Sequence, residues 1–196
     1  YKLGTLCIFD KESRSFEKED IEILKDLASM AERELAAVQL ATLDELTNIS
    51  NRRGFMFLAQ HSLNLCARQN IPISLIFLDL DKFKFINDTL GHAEGDRVLI
   101  SFASQMKNIF RESDIFARFG GDEFVALLTN TSKQRAEEIV ERMNQALNKY
   151  NQESSHGYDI AFSHGIVEFN PVKHPSLTEL LADGDLMMYA VKNVKK

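Results

Sequence analysis

The chain is poor in cysteine and proline, has no long apolar run and carries no excess of positive charge. Cys7 and Cys66 are its two cysteines; without CxxC spacing or histidine partners they exclude a disulfide framework and a zinc site. Both read as buried thiols of a reducing compartment, so a cytoplasmic location is expected. No apolar run reaches the roughly 18–20 residues of a membrane span, and no signal peptide opens the sequence, so no membrane contact is expected. Lysine and arginine number 23 against 29 aspartates and glutamates, a net charge of −6. That balance argues against a nucleic-acid polymer as partner, and a phosphate ligand would need metal ions as intermediaries. Internal repeats and low-complexity segments are absent as well. What is present is an apolar fraction of 44% in 196 residues, enough for one cored domain and a fragment. Because residue 1 is tyrosine, the chain is expected to be a piece of something longer.

Residues 1–10 alternate like a strand but are too few to own a core. From Phe16 onward Ile21, Leu24, Ala28, Ala31, Leu35 and Val38 recur at alternating spacings of three and four, which predicts a helix with a narrow seam ending near Leu43. Such a seam suits a short coiled coil, or packing on a neighbouring domain. Residues 44–53 are polar punctuation and a domain boundary. A helix over 54–69 stops before Pro72, and Ile73 to Leu80 is apolar on both faces, as a central strand covered on two sides requires. Asp79 and Asp81 stand at its end on one face and need a positive partner, for which Lys82 and Lys84 are local candidates. A helix over 83–90, a polar turn at 91–96 and a helix over 97–110 follow. Two alternating runs, 115–119 and 124–128, meet at Gly120-Gly121, read as a two-residue turn needing positive φ, with Phe119 opposite Asp122 and Arg118 opposite Glu123. A helix over 133–150, a strand over 160–167 and a helix over 177–192 complete the order β-α-α-β-β-α-β-α. The fold class is therefore α/β (α+β): a central mixed, mainly antiparallel sheet flanked by helices, ferredoxin-like or polymerase-palm-like, after a long N-terminal helix.

Two acidic strand ends on neighbouring strands suit magnesium, which takes one or two protein carboxylates and completes its shell with water and phosphate oxygens. A pair of such ions about 3.5–4 Å apart serves in-line displacement at phosphorus. Asp79 and Asp122 are the residues placed to supply these ligands.

The run Phe77 to Asp96, with Asp79-Leu80-Asp81-Lys82-Phe83, Asn87 and Gly91-His92-Ala93-Glu94-Gly95-Asp96, together with Gly120-Gly121-Asp122-Glu123-Phe124, resembles the GGDEF family, the diguanylate cyclases. Asp44 to Arg53 resembles that family's leading motif, and Ala182-Asp183 through Met188-Tyr189 to Lys192 its last helix. Residues 1–15 resemble weakly the tail of a GAF sensor domain, with 16–43 as a signalling helix and 44–196 as the cyclase domain. The resemblance implies that Asp79 and Asp122, with the Leu80 carbonyl, hold Mg²⁺ (or Mn²⁺). It gives Glu123 two candidate tasks, assisting a second metal and helping to deprotonate a 3′-hydroxyl. Asn87 and Asp96 would hold the guanine edge, a carboxylate accepting from N1–H and the 2-amino group that adenine lacks. His92 lies in the same turn, as a substrate contact or a backbone-stabilising histidine. The amides of Lys82 and Phe83 and the side chains of Lys84 and Lys192 would face a triphosphate. The implied reaction condenses two GTP into cyclic di-GMP, with two sites facing each other in a homodimer.

Arg111 and Asp114 match the spacing of the family's inhibitory product site, with Arg142 as a looser second contact. Asp114, six residues before Gly120, is about 20 Å from the turn and cannot share its metals. Departures from the family pattern fall at Asn48, where glycine is common, at Ile49, and at Lys195 and Lys196. The alternative is a catalytically silent GGDEF domain that binds GTP or cyclic di-GMP; a further rival is a palm-fold cyclase that consumes another nucleotide.

Overall fold

A computed structural model describes residues 15–154 and 156–194, together with Thr5, Cys7 and Lys11. The expected strand over 1–10 and its sensor-domain reading rest on residues that, Thr5 and Cys7 apart, lie outside these, as do Lys195 and Lys196. The chain divides into two units, Tyr1–Ala41 and Thr42–Lys196. In the first, α1 (Lys18–Thr42) opens with Glu19 and Asp20, which favour a helix N-terminus. Ile21, Leu35 and Val38 of its seam are 44%, 48% and 50% exposed. Cys7 is exposed, correcting its reading as a buried thiol; a ten-residue segment brings no core of its own to cover a side chain. Cys66 is buried as expected.

The second unit is built on β1 (Ile73–Leu80), whose every residue is buried. It is followed by α3 (Phe83–Leu90), α4 (His92–Ile109), β2 (Ile115–Gly120), β3 (Glu123–Thr129), α5 (Lys133–Glu153), β4 (Phe162–Glu168) and α6 (Leu177–Val194), and preceded by α2 (Arg52–Gln69). The sheet order is β2-β3-β1-β4, and every pairing between named strands is antiparallel. The expected mixed character reduces to one isolated parallel bridge, Ser50 to Ala117. Alternation along β1 explains its uninterrupted burial. Ile76, Leu78 and Leu80 pack with α4 and α5 on one face. Ile73, Leu75 and Phe77 pack with α2 and α6 on the other. Asp79 has the parity of the second set, so it faces the α6 side.

Two segments differ from expectation. Residues 92–96 open α4 rather than forming a polar turn: Gly91, at φ 86°, ends α3, and the helix restarts at His92. Residues 43–50 form a closed hairpin rather than punctuation, with Asp44 N–H on the Ile49 carbonyl and Leu43 bridged to Ser50. Asn48 sits there at φ 53°, the left-handed region that asparagine tolerates next best to glycine. Its departure from the family's glycine is thus conformationally matched. Among the described residues no helix is long and apolar enough to cross a membrane.

Candidate active site

The register of β1 and β3 sets Asp79 directly opposite Glu123, and the Leu80 N–H donates to the Asp122 carbonyl at 3.1 Å. Two acidic strand ends, 44 residues apart in the chain, therefore meet at one edge of the sheet. The turn differs in detail from the sequence reading. Gly120 is opposite Glu123, the loop is Gly121-Asp122, and a register shift past Phe119 sets Arg118 opposite Phe124. The Phe119/Asp122 and Arg118/Glu123 pairs are not formed, because the bulge takes up a residue and re-aims the strand end. Phe119 turns into the core, edge-on to Phe55 and Phe77, with the Arg52 guanidinium 4.6 Å from its ring centre. Neither Gly120 nor Gly121 has positive φ. The requirement at Gly120 is space, since a Cβ there would lie 2.9 Å from Glu123 Oε2.

Asp79 is 6% exposed, and its positive partner is Lys192, reaching over from α6 rather than the local Lys82 or Lys84. Asp81 accepts from the buried Ser163 hydroxyl at 2.6 Å. Burial, reinforced by the charges of Asp122 and Asp81, pushes the Asp79 carboxyl above its ordinary value against the pull of Lys192. Burial also raises Glu123, followed by the charges of Asp79, Asp122 and Asp185. Asp185 is a residue the sequence reading missed. It lies on α6 seven residues before Lys192, so both share one helix face, and that spacing was the available signal. Asp183, part of the stretch that resembles the family's last helix, is bound by His174 and Lys173, and those contacts hold its carboxyl below the ordinary range.

The Lys192 ammonium pairs with Asp79, and its charge also acts on Glu123. The described residues contain no group of three or more His, Cys, Asp or Glu side chains that could hold a metal by themselves. The strand-end carboxylates fit a hard cation that takes its other ligands from water and phosphate.

Around this edge, α3 is preceded by its N-cap residue Lys82, which has φ 58°, and no side chain caps the helix. A non-glycine residue in that conformation at an uncapped N-terminus leaves first-turn N–H groups available to an anion. Lys82 and Lys84 are exposed and Phe83 is partly buried. Asn87 of α3 lies against Gly95 of α4 so closely that a Cβ on Gly95 would meet Asn87 Oδ1 at 2.0 Å. Asp96, next along α4, is exposed, as is His92 in the first turn.

Arg111 and Asp114 come together in one turn: Asp114 Oδ2 accepts the Arg111 backbone N–H, and the Asp114 N–H returns to the Arg111 carbonyl, both at 3.0 Å. Burial raises the Asp114 carboxyl, and its contacts with Arg111 and Thr129 pull the other way. The Arg111 side chain is exposed, its charge acting on Asp114, and Arg142 is exposed on α5. This turn precedes the Ile115/Leu127 pair, at the opposite end of the β2–β3 hairpin from Gly120/Glu123.

With this geometry in hand, comparison with known proteins is specific. The family model described as "Diguanylate cyclase, GGDEF domain" matches residues 41–196. A probable diguanylate cyclase, DgcC of Escherichia coli strain K12, is 31% identical over 163 residues, covering 83% of this chain and 44% of that protein. The chain spans less than half the length of DgcC, of the diguanylate cyclase DosC of Escherichia coli strain K12 and of diguanylate cyclase A of Treponema denticola. Among solved structures, the coiled coil and GGDEF domain of DgcB from Caulobacter crescentus, in complex with c-di-GMP, has TM-score 0.80 at 24% identity, covering 88% of this chain and 92% of that one. The GGDEF domain of DgcB alone, also with c-di-GMP, has TM-score 0.72 at 27% identity, covering 78% and 91%. A family match over most of the sequence, on a four-stranded antiparallel sheet whose two acidic strand ends meet, leaves one assignment: the chain belongs to the GGDEF-domain diguanylate cyclase family.

Proposed function

We propose that this chain is a diguanylate cyclase that condenses two GTP into cyclic di-GMP with release of two pyrophosphates, acting in the cytoplasm as a homodimer. The observation that carries the reading is the cross-strand pair Asp79 and Glu123, held in register by the Leu80–Asp122 hydrogen bond. In each half-reaction the 3′-oxygen of one GTP bonds to the α-phosphorus of the other. The bond from that phosphorus to the pyrophosphate oxygen breaks, and the hydroxyl proton passes to Glu123. Its raised proton affinity suits Glu123 to accept that proton.

Asp79, Asp122, Glu123 and the Leu80 carbonyl would hold Mg²⁺, or Mn²⁺ in its stead. When bound, the metal supplies positive charge that offsets the triphosphate and the charge developing in displacement. The α3 N-terminus at Lys82 and Phe83, with Lys84 and Lys192, takes the phosphates, and Asn87 and Asp96 take the guanine edge, with His92 beside them. Residues 16–43 pair the two subunits and transmit the state of an upstream sensor ending within residues 1–15; residues 44–196 do the chemistry. Arg111, Asp114 and Arg142 bind the product and inhibit. Supporting this are relatives named as diguanylate cyclases and the DgcB structures bearing c-di-GMP.

The test is incubation with Mg²⁺ and either GTP or ATP, with products separated chromatographically. Cyclic di-GMP is expected from GTP and no cyclic dinucleotide from ATP; intact GTP at protein concentrations where dimers are present overturns the reading.

A further inference from the structure

The connection after α5 is built as a clasp on α4. Three rings follow one another, Tyr150 and His156 with centres 6.4 Å apart and His156 and Tyr158 5.8 Å apart. The outer two each engage α4 through their hydroxyls: Tyr158 donates to Glu94 Oε1 at 2.6 Å, and Tyr150 shares a hydrogen bond with Ser101 Oγ at 2.8 Å. Asn151 closes the base, its side chain donating to the Ile160 carbonyl and accepting the Ile160 N–H, both at 2.9 Å. Glu94 and Ser101 are seven residues apart and so lie on one face of α4. The other Glu94 oxygen accepts from Arg97 Nη1 at 2.7 Å.

Glu94, Gly95 and Asp96 are consecutive in the first turns of α4 and point three ways. Glu94 is held by Tyr158, Gly95 abuts Asn87, and Asp96 faces solvent. Glu94, one residue before Gly95 and two before Asp96, is contacted by Tyr158, by Arg97 and, at 3.9 Å, by His156 Nδ1. We propose that Tyr158 is a positioning residue for guanine recognition. Through Glu94 it anchors the first turn of α4 against α3, and Glu94 in turn keeps the Arg97 guanidinium off the neighbouring Asp96 carboxylate. This rests on the assignment of Asn87 and Asp96 to the base. The Tyr158 hydroxyl is a permanent donor, because burial and the Glu94 carboxylate both raise its affinity for its proton.

Tyr158→Phe keeps the ring in the stack and removes only the hydroxyl, and Tyr150→Phe, whose partner Ser101 lies two turns further along α4, is the matched control. Calorimetric binding of a GTP analogue with a non-cleavable α–β bridge is expected to weaken about tenfold in Tyr158→Phe, with turnover at saturating GTP unchanged. Tyr150→Phe is expected to bind as the wild type does. Unchanged affinity in Tyr158→Phe, or equal losses in both variants, overturns the positioning role. A wild-type protein that binds the GTP and ATP analogues equally overturns the base assignment itself, and this inference with it.

Discussion

Asp44 and Arg118, 74 residues apart, form an ion pair at 3.2 Å, and the same guanidinium donates through Nε to the Gly121 carbonyl at 3.0 Å. One side chain therefore joins the hairpin at 43–50 to the turn that carries Asp122. Both partners are largely buried, with side chains 18% and 21% exposed. Asp44 also accepts from the Thr47 hydroxyl at 2.6 Å and backbone N–H at 2.9 Å. Burial pushes its carboxyl up, but Thr47 and Arg118 together outweigh that and hold it below the ordinary value.

A carboxyl lowered in the folded state contributes stability that is present above its unfolded pKa and lost as pH falls through the folded pKa. Asp44→Asn is nearly isosteric with protonated Asp44. It is expected to cost about 1 kcal/mol at pH 7, with the gap to wild type closing as pH drops below the ordinary aspartate range. Urea midpoints of the two proteins across that range measure it. A gap of constant size would show that shape, not charge, is responsible.

Gly165 of β4 is where α6 approaches the sheet. A Cβ there would lie 2.4 Å from both the Gly184 carbonyl oxygen and the Met188 nitrogen. These are backbone atoms of the helix that carries Lys192 and Asp185, and they cannot rotate away. Gly165→Ala is expected to destabilise by about 3 kcal/mol. At Gly184 the nearest atom to an added Cβ is Leu75 Cδ2 at 2.9 Å, the end of a flexible side chain, so Gly184→Ala is expected to cost about 1 kcal/mol. Denaturant titration of both variants tests the order.

The strands and helices were legible wherever periodicity carried them. Ile73–Leu80 and Phe83–Leu90 are bounded as the sequence reading set them, one by a run apolar on both faces and the other by Gly91. The meeting of Asp79 with the Gly120-Gly121 turn was legible from two acidic strand ends. The counter-ion was not, because Lys192 lies 113 residues from Asp79 and only the packing of α6 brings it there. Nor was the start of α4, whose first turn is as polar as a loop because it is solvent-facing. The bulge at Phe119 escaped because it depends on Phe55 and Phe77 receiving the ring, a tertiary fact with no local signal.

Arg111 and Asp114 separate by role. Asp114 holds its turn through its carboxylate, whereas the Arg111 side chain takes no part in that backbone exchange. Arg111→Ala is expected to relieve inhibition by cyclic di-GMP while stability stays within about 0.5 kcal/mol of wild type. Asp114→Ala is expected to destabilise by about 1–3 kcal/mol through the lost acceptor. Initial rates with added product, beside thermal unfolding, distinguish the two; equal inhibition of Arg111→Ala and wild type would remove the inhibitory assignment.

Exposed apolar positions on α1 bear on assembly. Ile21, Leu35 and Val38 present about half their surface to solvent, and a paired helix would cover them. Ile21→Glu combined with Leu35→Glu is expected to yield monomers by sedimentation, without cyclase activity, while residues 42–196 unfold at the wild-type temperature. Dimers or undiminished turnover in the double variant would locate the interface elsewhere.

Lys192 pairs with Asp79, the carboxylate proposed above as a metal ligand. On the function proposed above, the ammonium and a divalent ion would compete for the same carboxylate, and a bound cation is expected to free Lys192 for the phosphates. Lys192→Met leaves Asp79 buried without a partner and is expected to destabilise the metal-free protein by about 2 kcal/mol. The same change removes the competitor, so Mg²⁺ without nucleotide is expected to bind about tenfold more tightly and to restore the lost stability. Turnover is nevertheless expected to fall about 100-fold, because the proposed phosphate contact is lost. Calorimetric titration with Mg²⁺, paired with unfolding curves with and without a chelator, reads both effects. Weaker Mg²⁺ binding in Lys192→Met than in wild type would mean that the lysine organises the metal site instead of standing in for its cation.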